Sequence, residues 1–220
     1  MKNLGIAIFL IGVFVSVAPI LAYATVVINE LYYDHPGDDP DYEFIELYNN
    51  ASSVVDISGW KIQSGGTSFT TDLIISPGTI IYGFDYFLIG GAKTFNDFSV
   101  TPDLIHSFSF QNAGTATDGV RIWDTGSYYD TVLYDSPNTY SLPTEDWADT
   151  NYAPDVDAGH SLERKTLGVD TNHASDWIEK SSPTPTPAVI PEPSALLLLG
   201  SGLIGLAGIL YRRKQKGRVD

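Results

Sequence analysis

The sequence predicts an all-β chain folded as a β-sandwich, and three observations carry that expectation. From Val26 onward, short apolar runs alternate with clusters of Gly, Pro, Asn and Asp, the punctuation of strands and tight turns. Between the two ends, no stretch sustains the 3.6-residue apolar period of an amphipathic helix. Seven or more strands fit into the roughly 165 residues of 25–190, enough chain for one domain with its own core.

The chain opens with Lys2, an apolar run from Leu4 to Val17 and the small-x-small triplet Ala22-Tyr23-Ala24. That order predicts a secretory signal peptide over 1–24, a helix removed by signal peptidase after Ala24. Val26–Leu31 reads as the first strand, and Asp34–Asp41, broken by Pro36, Gly37 and Pro40, as a loop. Glu43–Asn49 reads as the second strand. Val55–Gln63 folds around a Ser58-Gly59 turn, carrying Ile57, Trp60 and Ile62. Further strands are expected near Thr67–Thr70, Ile80–Tyr82 and Tyr86–Ile89, with Pro77-Gly78 and Gly90-Gly91 as turns. Thr94–Gly114 is irregular. Gly119–Trp123 and Tyr129–Tyr134 form a hairpin turned by Asp124–Ser127. Ser136–Asp157 is a polar, Pro-containing loop, and His160–Arg164 a late strand. The domain is therefore placed at 25–180. Residues 181–190, with Pro183, Pro185 and Pro187, read as an extended spacer. Last comes the uncharged stretch 195–211. As a helix it would rise about 25 Å, near the low end of what spans a hydrocarbon core. Arg212, Arg213, Lys214, Lys216 and Arg218 follow it, as on a cytoplasmic flank.

Pro191-Glu192-Pro193, a short apolar helix and an Arg-rich end with Arg212 and Arg213 together resemble the PEP-CTERM sorting signal of Gram-negative bacteria, over 191–218. The resemblance implies an exosortase as partner in the inner membrane, cleavage near the tripeptide, and transfer of the domain to the cell surface or extracellular matrix. It also implies an association with exopolysaccharide and biofilm. A permanent single-span anchor is the other reading of the same tail. The two prolines hold the tripeptide extended and deny it a helical start.

A second resemblance covers most of Val26–Pro187. Ile28-Asn29-Glu30, then Asp41–Asn49, then Asp56-Ile57-Ser58-Gly59-Trp60-Lys61 are similar to the opening strands of a lamin-tail domain. Ser161-Leu162-Glu163-Arg164, Asp170-Thr171-Asn172 and Asp176-Trp177, followed by Ser182–Pro185, resemble its closing segment. This implies an immunoglobulin-like β-sandwich of lamin-tail type.

Composition narrows the function. Residues 25–190 hold 25 of the 27 acidic residues but only 6 of the 12 basic ones, a formal charge near −19. Such a surface repels phosphate backbones, which argues against nucleic acid as a partner, and it attracts divalent cations. With no cysteine in the chain, thiol catalysis and thiolate metal sites are ruled out, and the exported domain must rely on its core.

Asp34, Asp38, Asp39, Asp41 and Glu43, with Glu46 nearby, form the densest polar group. Carboxylates so placed are a candidate Ca²⁺ site, in a Ca²⁺-stabilised structural module, or else a solvated acidic loop without EF-hand spacing. Glu30 and Glu46 sit within strands, so burial would require partners such as Arg164, Lys61 or backbone N–H groups. No other cofactor is expected, and no catalytic residue is assigned. His35, His106, His160 and His173 lack a metal spacing, and His160-Ser161 lies in no nucleophile elbow. Hydrolysis of extracellular polymer by paired surface carboxylates such as Glu43 and Glu46 is the enzymatic alternative. Trp147, Trp177, Tyr128, Tyr140 and Tyr152, in or beside polar loops, either stack on sugar rings or pack beneath those loops. The favoured reading is a non-enzymatic surface module that binds polysaccharide or a surface protein.

Overall fold

A computed structural model describes residues 25–66, 68–112, 118–124, 126, 128–135 and 152–189. The segment 1–24, expected to be a signal peptide, the tripeptide Pro191-Glu192-Pro193, the apolar stretch 195–211, Arg212 and Arg213 lie outside these residues, as do Trp147, Tyr140 and the side chain of Tyr128. Among the described residues no helix is long and apolar enough to cross a membrane.

Two sheets make the sandwich. The larger contains β1 (Val26–Tyr32), β2 (Phe44–Asn49), β7 (Tyr86–Gly90), β8 (Leu104–Ile105), β11 (Ser161–Arg164) and β12 (Trp177–Lys180). Its order is β12-β11-β1-β2-β7-β8. The smaller runs β10-β9-β4-β5, built from β4 (Lys61–Gly65), β5 (Thr70–Ile74), β9 (Asp118–Trp123) and β10 (Tyr128–Tyr134). A two-stranded ribbon, β3 (Val55–Asp56) with β6 (Ile80–Ile81), closes one end. All pairings between these strands are antiparallel except β7 with β8.

The sequence of β1 shows how the layers form. Val26 and Ile28 point into the core, and strict alternation would put Glu30 beside them. A β-bulge between Ile28 and Glu30 shifts the register against β2 and reverses the parity. Leu31 therefore joins Ile45, Leu47, Ile89 and Leu162 in the core, and Glu30 turns to the opposite face. From the smaller sheet come Ile62, Val120, Ile122 and Val132. Each such fully buried aliphatic side chain is worth roughly 1.5–3 kcal/mol.

The irregular stretch after Gly90 covers part of the outer face of the larger sheet. The single helical turn α1 (Thr94–Phe98) brings Phe98 and Val100 onto Tyr32, Phe44 and Leu88. Tyr32 and Phe44 stack at 5.4 Å, and Phe98 meets both edge-on.

A buried cation ties the two sheets together. Arg164 of β11 alternates to the inner face, so it does not reach Glu30 or Glu46, as the sequence had allowed. Its Nη2 donates to Asp130 of β10 at 2.5 Å, and its Nε to the Ile28 carbonyl at 2.7 Å. Nη1 reaches the Val169 carbonyl, Asp170 and Asp176, and the guanidinium lies over the Trp177 ring. Asp176 in turn accepts both the backbone N–H and the hydroxyl of Thr171, at 2.7 Å each. The closing segment singled out in the sequence is thus the wrapping of one guanidinium. Burial works against that charge, but Asp130, Asp170 and Asp176 outweigh it and raise the Arg164 pKa.

Three elements differ from expectation. β5 begins at Thr70, because β4 continues through Gly65 and the turn consumes the residues that follow. β8 is a two-residue parallel strand, too short to leave a periodic signal. β12 is only four residues, Trp-Ile-Glu-Lys, at the edge of the sheet, paired residue for residue with β11.

Candidate functional site

The prolines at 183, 185 and 187 leave backbone N–H groups only at Ser181, Ser182, Thr184, Thr186, Ala188 and Val189 of this tail segment. The last four all donate to carboxylates on the outer side of the larger sheet. Thr184 bonds Glu30 at 3.0 and 3.3 Å, and Thr186 bonds Glu46 at 2.6 Å. Ala188 bonds Asp103 at 2.8 Å, and Val189 bonds both oxygens of Asp85 at 3.1 Å. Pro185, between the first two contacts, is buried. The stretch read from sequence as a spacer is therefore an extended strap crossing β1 and β2 toward the start of β7.

Each peg is itself held. Ser161 of β11 donates its hydroxyl to Glu30 at 2.5 Å. Asn29, the bulge residue, donates to Glu46 at 2.6 Å. Asp103 also accepts the Leu88 N–H, and Asp85 that of Tyr86. Glu30 and Glu46, both 1 % exposed, face each other across β1 and β2. Burial is the main cause that pushes Glu46 up to about 8, against the hydrogen bond from Asn29. Glu30 is raised by burial too, against bonds from Ser161 and Thr184. Backbone N–H groups are among the partners the sequence reading required for these two strand carboxylates.

The acidic loop has a different arrangement. Asp34 and Asp39 share the Asn112 side-chain amide at 3.3 and 3.5 Å, and Asp39 also accepts the His35 N–H. Asp41, in a left-handed conformation at φ +75, sits 3.8 Å from Lys93. Asp38 is exposed. Glu43 is fully buried and accepts the Phe110 N–H at 2.9 Å. It shares parity with Ile45 and Leu47, which places it on the inner face, and burial pushes it up to about 8. Glu43 and Glu46 are therefore buried, hydrogen-bonded groups and not the surface carboxylates that the hydrolase alternative assumed.

Among the described residues, one group of three acidic or histidine side chains has ligand atoms within 4.8 Å of one another: Asp157, His160 and Glu179. Its geometry is that of a hydrogen-bonded loop, since one Glu179 oxygen faces His160 Nδ1 at 2.6 Å and accepts the Asp157 N–H at 2.9 Å. Trp177 is 2 % exposed and lies under Arg164, so it packs and is not available to stack on a sugar. Tyr152 is half-buried against the core.

Sequence reasoning missed Asp85, Asp103 and the strap itself. The available signal was the alternation Pro-Thr-Pro-Thr-Pro, which exposes backbone donors at every second residue, opposite carboxylates embedded in apolar strands.

A family model described as Lamin Tail Domain matches residues 21–145, and one described as PEP-CTERM protein-sorting motif matches residues 189–214. The first stops short of β11 and β12, which nevertheless complete the larger sheet. The second begins at Val189, the residue pegged to Asp85. No curated protein matches the chain.

Proposed function

From a chain that belongs to the Lamin Tail Domain family and carries a PEP-CTERM protein-sorting motif, we propose a non-enzymatic surface or matrix module whose own sheet seats the segment leading into its sorting signal. Export by way of an exosortase is the role that the motif carries. The finer steps are our reading. The tail holds the protein in the inner membrane as an intermediate, the exosortase cuts near Pro191-Glu192-Pro193, and the domain passes to the surface or matrix, there to bind polysaccharide or a surface protein.

One observation carries this reading: the strap 183–189, fixed by Glu30, Glu46, Asp103 and Asp85, delivers the chain directly into the sorting motif. A flexible spacer would let the scissile region wander. A seated one fixes its distance from the domain. The buried carboxylates that a hydrolase would need are engaged in this seat or in the core, which supports the non-enzymatic reading.

Mass spectrometry of the protein from an exosortase-bearing Gram-negative host and from its exosortase deletion tests the sorting role. The expected mature C-terminus lies near residues 190–193 in the first, with the tail retained in the second. An intact tail in both overturns the processing step. Soluble polysaccharide or surface-protein fractions then test the binding role, and no retention of any by the purified protein overturns that part.

A further inference from the structure

The end of the sandwich from which the strap departs is edged with apolar side chains. Val55 pairs with Ile81 in the β3–β6 ribbon. The Asn49 side chain fastens this ribbon to β2 by donating to the Ser53, Ile81 and Tyr82 carbonyls at 2.8, 3.1 and 3.0 Å. The Phe84 N–H donates to the Asn49 and Ala51 carbonyls at 3.0 and 2.9 Å. Asn50 donates to the Gly168 carbonyl at 2.8 Å, which ties in the loop carrying Leu167 and Val169. Val54, Tyr82, Phe84, Leu167 and Val169 are thus gathered around Asn49 and Asn50, each between 40 and 60 % exposed.

Phe84 has the most unusual conformation of the group. It adopts φ +58, a left-handed backbone that a bulky side chain enters at a cost and a glycine would not. Its two backbone bonds hold it there, and the preceding Gly83 lies so close to the 51–52 turn that a Cβ would fall 2.3 Å from the Ser52 carbonyl oxygen. The ring is the most exposed of the five side chains, so packing within the domain does not account for an aromatic at this position.

We propose, on the reading that 195–211 enters a bilayer, that this edge is a membrane-contact surface resting in the interfacial layer of that same bilayer. Val189 bonds Asp85, the residue after Phe84, at 3.1 Å. Only residues 190–194 separate Val189 from the uncharged stretch, so a bilayer that takes up that stretch lies within reach of Phe84 and its neighbours. Phe, and Tyr with its polar tip, are side chains suited to the boundary between headgroups and acyl chains. Lys165, exposed on the same loop as Leu167, suits lipid phosphate. The acidic loop Asp34–Asp41, which an anionic surface would repel, joins the opposite ends of β1 and β2. Such a contact steadies the domain against the membrane until the tail is cut.

The test uses the full-length protein in vesicles of phosphatidylethanolamine and phosphatidylglycerol, with nitroxide-bearing lipid as quencher near the headgroups. Because the chain has no native cysteine, Phe84→Cys, Leu167→Cys and, at the far end, Asp38→Cys each take a single environment-sensitive fluorophore. The protein is expected to float with the vesicles after an alkaline wash; failure to do so overturns tail insertion and this contact together. In protein that floats, quenching should be several-fold stronger at 84 and 167 than at 38. Equal quenching at the three positions overturns the contact and leaves tail insertion standing. Cross-linking into dimers without lipid quenching gives the face to a second copy and overturns it equally. Phe84→Gly suits the left-handed backbone, so it should keep the melting midpoint while lowering the quenching at 167 by about twofold or more. Unchanged quenching in that variant overturns the part assigned to Phe84.

Discussion

Replacing Arg164 with Met isolates the contribution of the cation between the sheets. Met keeps the unbranched stem and removes every donor. Asp130, 0 % exposed, would retain only the Ile28 N–H at 2.7 Å. The Ile28 and Val169 carbonyls would each lose a donor, and Asp170 and Asp176 their shared cation. Breaking a buried pair from one side costs about 3–5 kcal/mol, because the remaining charge is stranded. We expect about 4 kcal/mol at pH 7.5, measured by urea unfolding with an unchanged slope. Asp130→Asn in the same background should recover part of the loss, since the amide oxygen still accepts from Ile28 and no charge is left behind. A double-mutant cycle would then report a coupling of several kcal/mol. A loss below about 1 kcal/mol for Arg164→Met, the size of an ordinary exposed pair, would refute the claim that this guanidinium joins the two layers.

Thr186→Pro removes the N–H that Glu46 accepts at 2.6 Å. It should cost about 1–3 kcal/mol, the penalty for leaving a buried acceptor without its donor. The same change should speed amide exchange at Thr184 and Ala188, and unchanged exchange there would count against the strap. Gly91→Ala puts a Cβ within 2.1–2.3 Å of the Asp41 backbone, so the midpoint should fall by the equivalent of about 3 kcal/mol; a wild-type midpoint would contradict the close approach. For pH, Glu43 and Glu46 are both raised to about 8, by burial first. Their folded pKa lies above the unfolded value, so the folded state binds extra protons between about 4.5 and 8. The stability they contribute is complete below the unfolded pKa and is lost as pH rises through 8. Melting should therefore occur at a higher temperature at pH 5 than at pH 8.5, and Glu43→Gln should flatten the slope. A midpoint that rises with pH across this window would reverse the assignment.

The strands legible in the sequence are those whose side chains alternate cleanly between oil and water. β2 shows this, with Ile45 and Leu47 inward and Glu46 outward, and so does the β9–β10 hairpin. The same alternation, extended one residue back, places Glu43 in the core. Its charge and its neighbours Asp38, Asp39 and Asp41 hid that, because a carboxylate beside an acidic loop reads as solvated. Arg164 was legible as part of a closing pattern, but its partner Asp130 is far away in sequence and could not be inferred from spacing. The strap was illegible for another reason. A run of prolines and threonines carries no apolar period, and its anchoring depends wholly on acceptors supplied by four distant positions, Glu30, Glu46, Asp85 and Asp103.

The seated strap also shortens the leash. Unpegged, residues 181–194, if extended, would let the globule drift about 43 Å from its attachment, at roughly 3.1 Å per residue. With Val189 fastened to Asp85, only about five residues separate the sheet from the apolar stretch that starts at Ala195, a reach of roughly 15 Å. If that stretch enters a bilayer, the globule rides close to the headgroups. A processing enzyme embedded there would meet the same short stretch of chain, at nearly the same height, in every copy.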